Sequence, residues 1–185
     1  MKDSVSGRAP ELATIPAAIF AALMLLPSGV WAQQRQTVTI TTPASNTKYT
    51  QQHAIDVGDV PGHQVRVYEI HRTYGVDGPL IQGVRLRESW TRGISDYTEL
   101  SGPGYVYSVF VMENGDKFYT KANLISQSMP NLDGPVTSRS IATAQITGGT
   151  GKFKTIRGTL HSDTSGNIKT GFNQTKAELE YWTEE

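Results

Sequence analysis

The chain has 185 residues, carries 17 Lys and Arg against 17 Asp and Glu, and contains no cysteine. The balance of charge excludes the basic excess that a nucleic-acid partner requires. The lack of cysteine excludes disulfides, thiolate nucleophiles and thiolate metal sites. A chain of this length predicts one domain.

The first 32 residues have the pattern of a secretory signal peptide. The apolar run "AAIFAALMLLPSGV" (17–30) is too short to span a bilayer, and it leads into "VWA", whose small residues suit signal peptidase. We therefore expect cleavage after Ala32 and a secreted or periplasmic protein without a membrane anchor. The amino-terminal region departs from the pattern, because Asp3 and Glu11 cancel its basic charges. An uncleaved interfacial anchor is the alternative, given the short apolar run.

The rest of the chain has the residue pattern of short strands separated by turns. Residues 33–47 are rich in Thr, Gln and Ser and predict an extended arm or an irregular first strand. Residues 48–185 alternate segments of period two with turns of Gly, Pro or Asn, and the strongest hairpin signal is Asn114-Gly115. About eight strands with almost no helix predict one all-β sandwich or barrel.

The stretch "ITGGTGKFKTIRGTL" (146–160) is rich in glycine around a threonine and a lysine. It matches neither the P-loop nor the dinucleotide fingerprint, and the residues after it alternate as a strand rather than a helix. We predict that its glycines form a turn between two strands and not a phosphate site.

Part of this stretch, "GGTGKFKTIRGT", resembles a turn and strand of the dirigent proteins and is similar to the turn of the plant allene oxide cyclases. The segments "VTSRSIATAQIT" and "VFVMENGDKFYTK" lie where that superfamily has strands. The resemblance implies an eight-stranded antiparallel calycin-type β-barrel, and it leaves homo-oligomerisation open. No catalytic residue of the family is carried over, because those residues lie outside the matching motif.

Three ionisable residues are candidates for acid–base chemistry. A period of two places Glu69 and His71 on the face of one strand that carries Val65 and Val67, and it places Glu88 with Trp90 on the next strand. If both faces point inward, Glu69, His71 and Glu88 form a catalytic group in a partly apolar cavity. A carboxylate there has a raised pKa and can transfer a proton near neutral pH.

The opposite orientation is the alternative. Tyr68 and Ile70 could equally point inward, and Glu69 would then form a surface ion pair with an arginine of the adjacent strand. The histidines do not predict a metal site, because their spacing matches no metal-binding fingerprint. We expect no metal and no cofactor.

Aromatic residues spread over the strands either fill the barrel or line a ligand cavity. Arg157 shares a face with an aromatic residue and either binds an anionic group inside or lies outside. The predicted ligand-binding residues are Trp90, Tyr105, Tyr107, Phe118 and Arg157.

Three hypotheses about function follow. The first is a cofactor-independent isomerase, cyclase or lyase acting on an apolar aromatic or polyunsaturated compound. The alternative is a non-catalytic dirigent-like or lipocalin-like protein that binds a hydrophobic small molecule. The third is a structural module with a filled core. An inward acid cluster favours the first, an aromatic cavity without an acid favours the second, and a filled barrel favours the third.

Overall fold

The computed structural model describes residues 34–129, 137–167 and 170–184, and its secondary structure there is almost entirely strand. The predicted signal peptide lies outside the described residues. No helix among the described residues is long and apolar enough to cross a membrane. The strands are β1 (Gln36–Thr42), β2 (Thr47–Asp56), β3 (His63–Thr73), β4 (Leu80–Ile81), β5 (Val84–Thr98), β6 (Gly102–Met112), β7 (Lys117–Met129), β8 (Thr137–Gly149), β9 (Ile156–Asn167) and β10 (Phe172–Thr183).

The all-β prediction is confirmed, with ten described strands instead of eight. The eight predicted strands correspond to β2, β3 and β5 to β10. One additional strand is β1, which occupies part of the predicted arm and pairs antiparallel with β10. The other is β4, which has two residues and pairs with β5. Three single 3₁₀ turns complete the described structure: Ala44–Asn46, Gly75–Asp77 and Gly151–Phe153.

The strands form one antiparallel sheet in the order β1-β10-β9-β8-β7-β6-β5-β3-β2. Most neighbours in the sheet are also neighbours in sequence, so short connections suffice. The edge strands β1 and β2 do not pair with each other in a ladder. Side chains link this seam instead: Asn173 on β10 donates to the Tyr49 hydroxyl on β2 at 3.2 Å. The sheet therefore curls into a barrel whose seam is held by side chains.

Apolar side chains fill the end of the barrel near the β6–β7 hairpin. The rings of Phe110 and Phe118 stack with centroids 4.5 Å apart, and Phe153 lies 6.0 Å from Phe118. Leu86 and Ile156 are fully buried in the same cluster. Because aromatic rings bury a large apolar area, this cluster is the main hydrophobic core.

The glycine-rich stretch is a turn that packs on the β6–β7 hairpin. Gly151 has φ +50°, a conformation that favours glycine. The Lys152 amide donates to the Asp116 carboxylate at 3.0 Å, and the Lys117 amide donates to the Thr150 hydroxyl at 2.9 Å. An acidic side chain therefore occupies the position from which a phosphate would approach the Lys152 amide, as the turn prediction requires.

We expect Gly149→Ala to lower the free energy of unfolding by about 1–3 kcal/mol, the usual range for overpacking. An added Cβ would lie 2.4 Å from the Phe153 carbonyl oxygen and 2.6 Å from that of Lys117, and backbone atoms cannot move aside cheaply. Urea unfolding measures the change. Gly166→Ala is the matched control, because its Cβ would meet nothing nearer than 3.6 Å. Equal stability of the two variants would contradict the packing argument.

His63 links the β2–β3 turn to β5 through two carboxylates. Its Nδ1 lies 2.6 Å from Asp59 and its Nε2 lies 2.6 Å from Asp96. Hydrogen bonds to Asp96 and then Asp59 raise the pKa of His63, and the hydrogen bond with His63 lowers the pKa of Asp59. The folded state therefore holds the histidine proton more tightly than the unfolded chain does.

This linkage predicts a pH-dependent contribution to stability. In mildly acidic solution, below the unfolded His pKa of about 6.5, the contribution of His63 is complete, and it is lost as the pH rises through the higher folded pKa. It is also lost in acid, as the pH falls through the lowered pKa of Asp59. The melting-temperature difference between wild type and His63→Gln should therefore shrink from mildly acidic to alkaline pH.

His161→Gln is the control, because His161 contacts the Thr143 hydroxyl rather than a carboxylate. Its melting-temperature difference from wild type should vary less with pH than that of His63→Gln. A His63→Gln difference that is constant from pH about 5.5 to about 9 would contradict the linkage.

Candidate ligand-binding cavity

A cavity of about 130 Å³ lies inside the barrel, beside the apolar core. Every strand except β4 contributes side chains to its wall. One part of the wall is apolar and is shared with the core: Ile40, Phe110, Ala122, Ala144, Leu160 and Ala177. The remainder consists mainly of hydroxyl-bearing and small side chains, so the cavity has an apolar and a polar region.

Small residues on the inward face create the space. Strand β8 presents Ser138, Ser140, Ala142 and Ala144 to the cavity. Strand β5 presents serine or threonine at positions 89, 91 and 95. Some of these hydroxyls bond to partners on other strands, as Thr91 does with Ser108 at 2.9 Å. Because none of these side chains is large, the centre stays hollow.

Tyr68 enters the cavity because the residue opposite it on β5 is glycine. The pair is Tyr68 and Gly93, and a Cβ on Gly93 would lie 2.4 Å from the Tyr68 ring. The ring meets Tyr49 edge to face, with centroids 6.2 Å apart. Burial raises the pKa of Tyr68 and that of Tyr97, so both are neutral phenols at physiological pH.

The cavity also contains the buried guanidinium of Arg72. It is 8% exposed, and it donates to the Thr91 hydroxyl at 3.1 Å and to the Asn173 side-chain oxygen at 3.0 Å. Its Nε has no hydrogen-bond partner in the described part of the chain. Burial lowers the pKa of Arg72, but an arginine is not deprotonated in proteins. A positive charge therefore lies inside the barrel.

A second arginine of β3 lines the same cavity. Arg66 donates to the Gln52 side-chain oxygen at 2.9 Å, and its Nε is buried without a partner among the described residues. No Asp, Glu, His or Lys occurs among the described residues of the cavity wall. The interior thus offers donors and positive charge, and its described residues include no carboxylate, imidazole or amine.

The predicted inward orientation of Glu69, His71 and Glu88 is wrong. On β3 the residues that line the cavity are Arg66, Tyr68, Ile70 and Arg72, so Glu69 and His71 lie on the outer face. On β5 a register shift between Leu86 and Glu88 changes the parity of the strand. Leu86 is fully buried as a result, while Glu88 faces outward, and a strict period of two could not show this.

The predicted catalytic residues nevertheless lie together, on the outer surface of the barrel. His71 Nε2 lies 2.9 Å from the Glu88 carboxylate, and its ring stacks on Trp90 with centroids 4.0 Å apart. Glu69 pairs with Arg92 at 2.8 Å. Although partial burial opposes it, hydrogen bonds from Arg87 and His71 lower the pKa of Glu88. That shift is opposite to the raised pKa that the acid–base hypothesis required.

The predicted ligand-binding residues also lie outside the cavity wall. Trp90 belongs to the outer cluster just described. Tyr105 and Tyr107 meet edge to face at 4.9 Å on the outer face of β6, and Tyr107 is 56% exposed. Arg157 pairs with Glu184 at 2.7 Å on the outside of the barrel. Phe118 does point inward, but it belongs to the packed core and does not line the cavity.

Comparisons with known proteins add little. No protein-family model matches the sequence, and no curated protein matches it. A solved structure of the pterocarpan synthase dirigent protein is similar, with a TM-score of 0.49 and 12% identity over 96% of this chain and 100% of that chain. We draw nothing about ligand or activity from a likeness at this level.

We expect Glu69→Gln to change stability only slightly and to leave the interior unaffected. A partly exposed ion pair is worth about 0.2–1 kcal/mol, and Glu69 pairs with Arg92 on the outer face. A double-mutant cycle with Arg92→Met, measured by urea unfolding, should give a coupling energy in that range. A coupling of several kcal/mol would contradict the assignment of Glu69 to the outer surface of the barrel.

Proposed function

We propose that the protein binds a small organic molecule inside the barrel and performs no covalent chemistry on it. The observation that carries this proposal is the cavity of about 130 Å³ beside an otherwise packed core. Protein interiors are close-packed, and an internal void costs stability. Small residues on several neighbouring strands maintain this void, which supports a role for it in holding a ligand.

The chemistry of the wall supports binding over catalysis. An isomerase, cyclase or lyase without a cofactor needs a group that can give or take a proton near neutral pH. The described wall has arginines and tyrosines as its only ionisable residues, and burial raises the pKa of Tyr68 and Tyr97 still further from neutrality. These groups can orient a ligand by donating hydrogen bonds, but they make poor general bases.

The size of the cavity, and its division into an apolar and a polar region, indicate the class of ligand. A dry apolar cavity of roughly 150 Å³ accepts benzene in another protein, so a single ring or a short aliphatic body is the appropriate scale here. The body would pack against Phe110 and Leu160, and polar substituents would meet the hydroxyls and Arg72. Because the sequence predicts a signal peptide, we further propose that binding takes place outside the cytoplasm.

We expect that filling the cavity abolishes binding. The probes are 4-fluorobenzoate, 4-fluorobenzamide and 4-fluorobenzylamine, whose ¹⁹F resonances broaden on binding. At least one should bind the wild type, and Ala142→Phe should weaken it by about tenfold or more, a loss of roughly 1.4 kcal/mol. The reason is that Ala142 lines the cavity and a benzyl group would occupy much of its volume.

Ile141→Phe is the matched control, since Ile141 is the preceding residue of β8 and is 55% exposed on the outer face. Circular dichroism establishes that both variants fold, and Ala142→Leu serves as the smaller filling variant if Ala142→Phe does not. Equal loss of binding in the inner and outer variants, or no binding of any probe to the wild type, would overturn the proposed function.

A further inference from the structure

We infer that the ligand of this cavity carries a carboxylate and that Arg72 binds it. The inference rests on the binding function proposed above and goes beyond it, because it names the charge of the ligand and the residue that recognises it.

The first observation is how the arginines of the chain are paired. Those on the outer surface of the described chain each form an ion pair with a carboxylate: Arg35, Arg85, Arg87, Arg92, Arg139 and Arg157. The two that line the cavity, Arg66 and Arg72, form none with any described residue. The buried Arg72 and the half-buried Arg66 are thus the described arginines without a counter-ion.

An unpaired charge in a protein interior is costly, whereas the same charge on the surface is solvated. Surface pairing therefore contributes little to stability, and interior pairing would contribute much more. A ligand carboxylate would supply the counter-ion that the described interior lacks.

The second observation is the geometry of Arg72. Its terminal nitrogens donate to Thr91, to Asn173 and, at 3.5 Å, to Thr175, but its buried Nε has no partner among the described residues. A carboxylate prefers the side of a guanidinium that presents two parallel N–H groups. Arg139 shows this arrangement in the same chain, with Nε and Nη2 on the Asp163 carboxylate at 3.0 and 2.5 Å. Arg72 differs from Arg139, because its Nη2 already donates to Asn173 and Thr175, and one N–H group, on the buried Nε, is left without an acceptor among the described residues.

The third observation is that the Arg72 guanidinium is held in place. Asn173 donates from its amide nitrogen to the Tyr49 hydroxyl at 3.2 Å, which leaves its oxygen to accept from Arg72. Thr91 is in turn hydrogen-bonded to Ser108. A donor fixed in this way loses little conformational entropy when a ligand binds, and this favours recognition.

Arg66 strengthens the positive potential of the cavity. The chain as a whole has no net charge, but the described cavity wall contains two guanidinium groups and no carboxylate. A concave site lined by one sign of charge attracts ligands of the opposite sign. A neutral or cationic ligand would leave both arginines without a counter-ion.

The experiment compares two ring compounds of nearly the same shape and different charge, 4-fluorobenzoate and 4-fluorobenzamide, by ¹⁹F NMR titration of the intact protein. The wild type should bind the benzoate about tenfold or more tightly than the benzamide. Arg72→Met should remove this preference, to within about threefold of parity, because it weakens binding of the benzoate more than binding of the benzamide. Arg72→Lys keeps the positive charge but lacks the planar guanidinium group, and it should retain part of the preference.

Arg92→Met is the control, because it removes a guanidinium from the outer face and should leave the preference intact. Persistence of the preference in Arg72→Met would overturn the assignment to Arg72. If that variant does not fold, an unchanged preference in Arg72→Lys would do the same. Tighter binding of 4-fluorophenyl phosphate than of the benzoate would overturn the assignment to a carboxylate.

The same titrations separate this inference from the proposed function. Equal binding of benzoate and benzamide by the wild type, with both lost in Ala142→Phe, would overturn the anionic ligand and leave the binding function standing. If neither compound binds the wild type, both the proposed function and this inference are wrong.

Discussion

The contact between Tyr68 and Gly93 determines what the inside of this barrel contains. The Tyr68 ring occupies the space that any side chain at position 93 would need. Tyr68 therefore points inward at the position where β3 pairs with Gly93 of β5. Since side chains alternate along a strand, the same choice brings Arg66, Ile70 and Arg72 inside and sends Glu69 and His71 outside. The basic cavity and the outward orientation of Glu69 and His71 are two consequences of one packing arrangement.

This arrangement has a cost that the rest of the barrel offsets. A hollow centre forfeits packing contacts, and a guanidinium in it loses hydration. The compensation lies at the other end, where Phe110, Phe118 and Phe153 form a dense apolar cluster. The hydrogen bonds of Arg72 to Thr91 and Asn173 recover part of the lost solvation. The molecule is thus divided into a stabilising end and a less stable, polar end suited to binding.

Much of the fold could be predicted from the sequence, because the alternation of residues along a strand and the residue types that favour turns are local features. The eight predicted strands all occur, and the Asn114-Gly115 hairpin connects β6 and β7, with Gly115 at φ +86°. The candidate site could not be predicted in the same way, because it depends on which face of each strand is inside. On β3 hydrophobicity was misleading: Val67 is 53% exposed, while Arg72 is buried. On β5 the bulge after Leu86 reversed the alternation.

Two patterns in the sequence indicate the hollow interior. Serine or threonine at positions 89, 91 and 95, together with the serine and alanine alternation of β8, places small residues on one face of two strands. A face built of such residues cannot fill a small barrel unless larger residues project from the opposite wall. Gly93, within the same β5 pattern, marks a position at which another side chain approaches the backbone closely.

Binding and stability are coupled in such a design. A ligand that binds the folded state alone stabilises it by mass action, and a ligand that neutralises Arg72 also removes a penalty already present in the empty protein. Since Arg72 is buried, that interaction is screened less by salt than the outer pairs, such as Arg139 with Asp163. The carboxylates that this chain places on its surface contribute little there, because water already solvates the arginines that they meet. The same group delivered to the interior by a ligand would act where water is scarce, and this difference in environment is the physical basis of the selectivity for an anion that we propose.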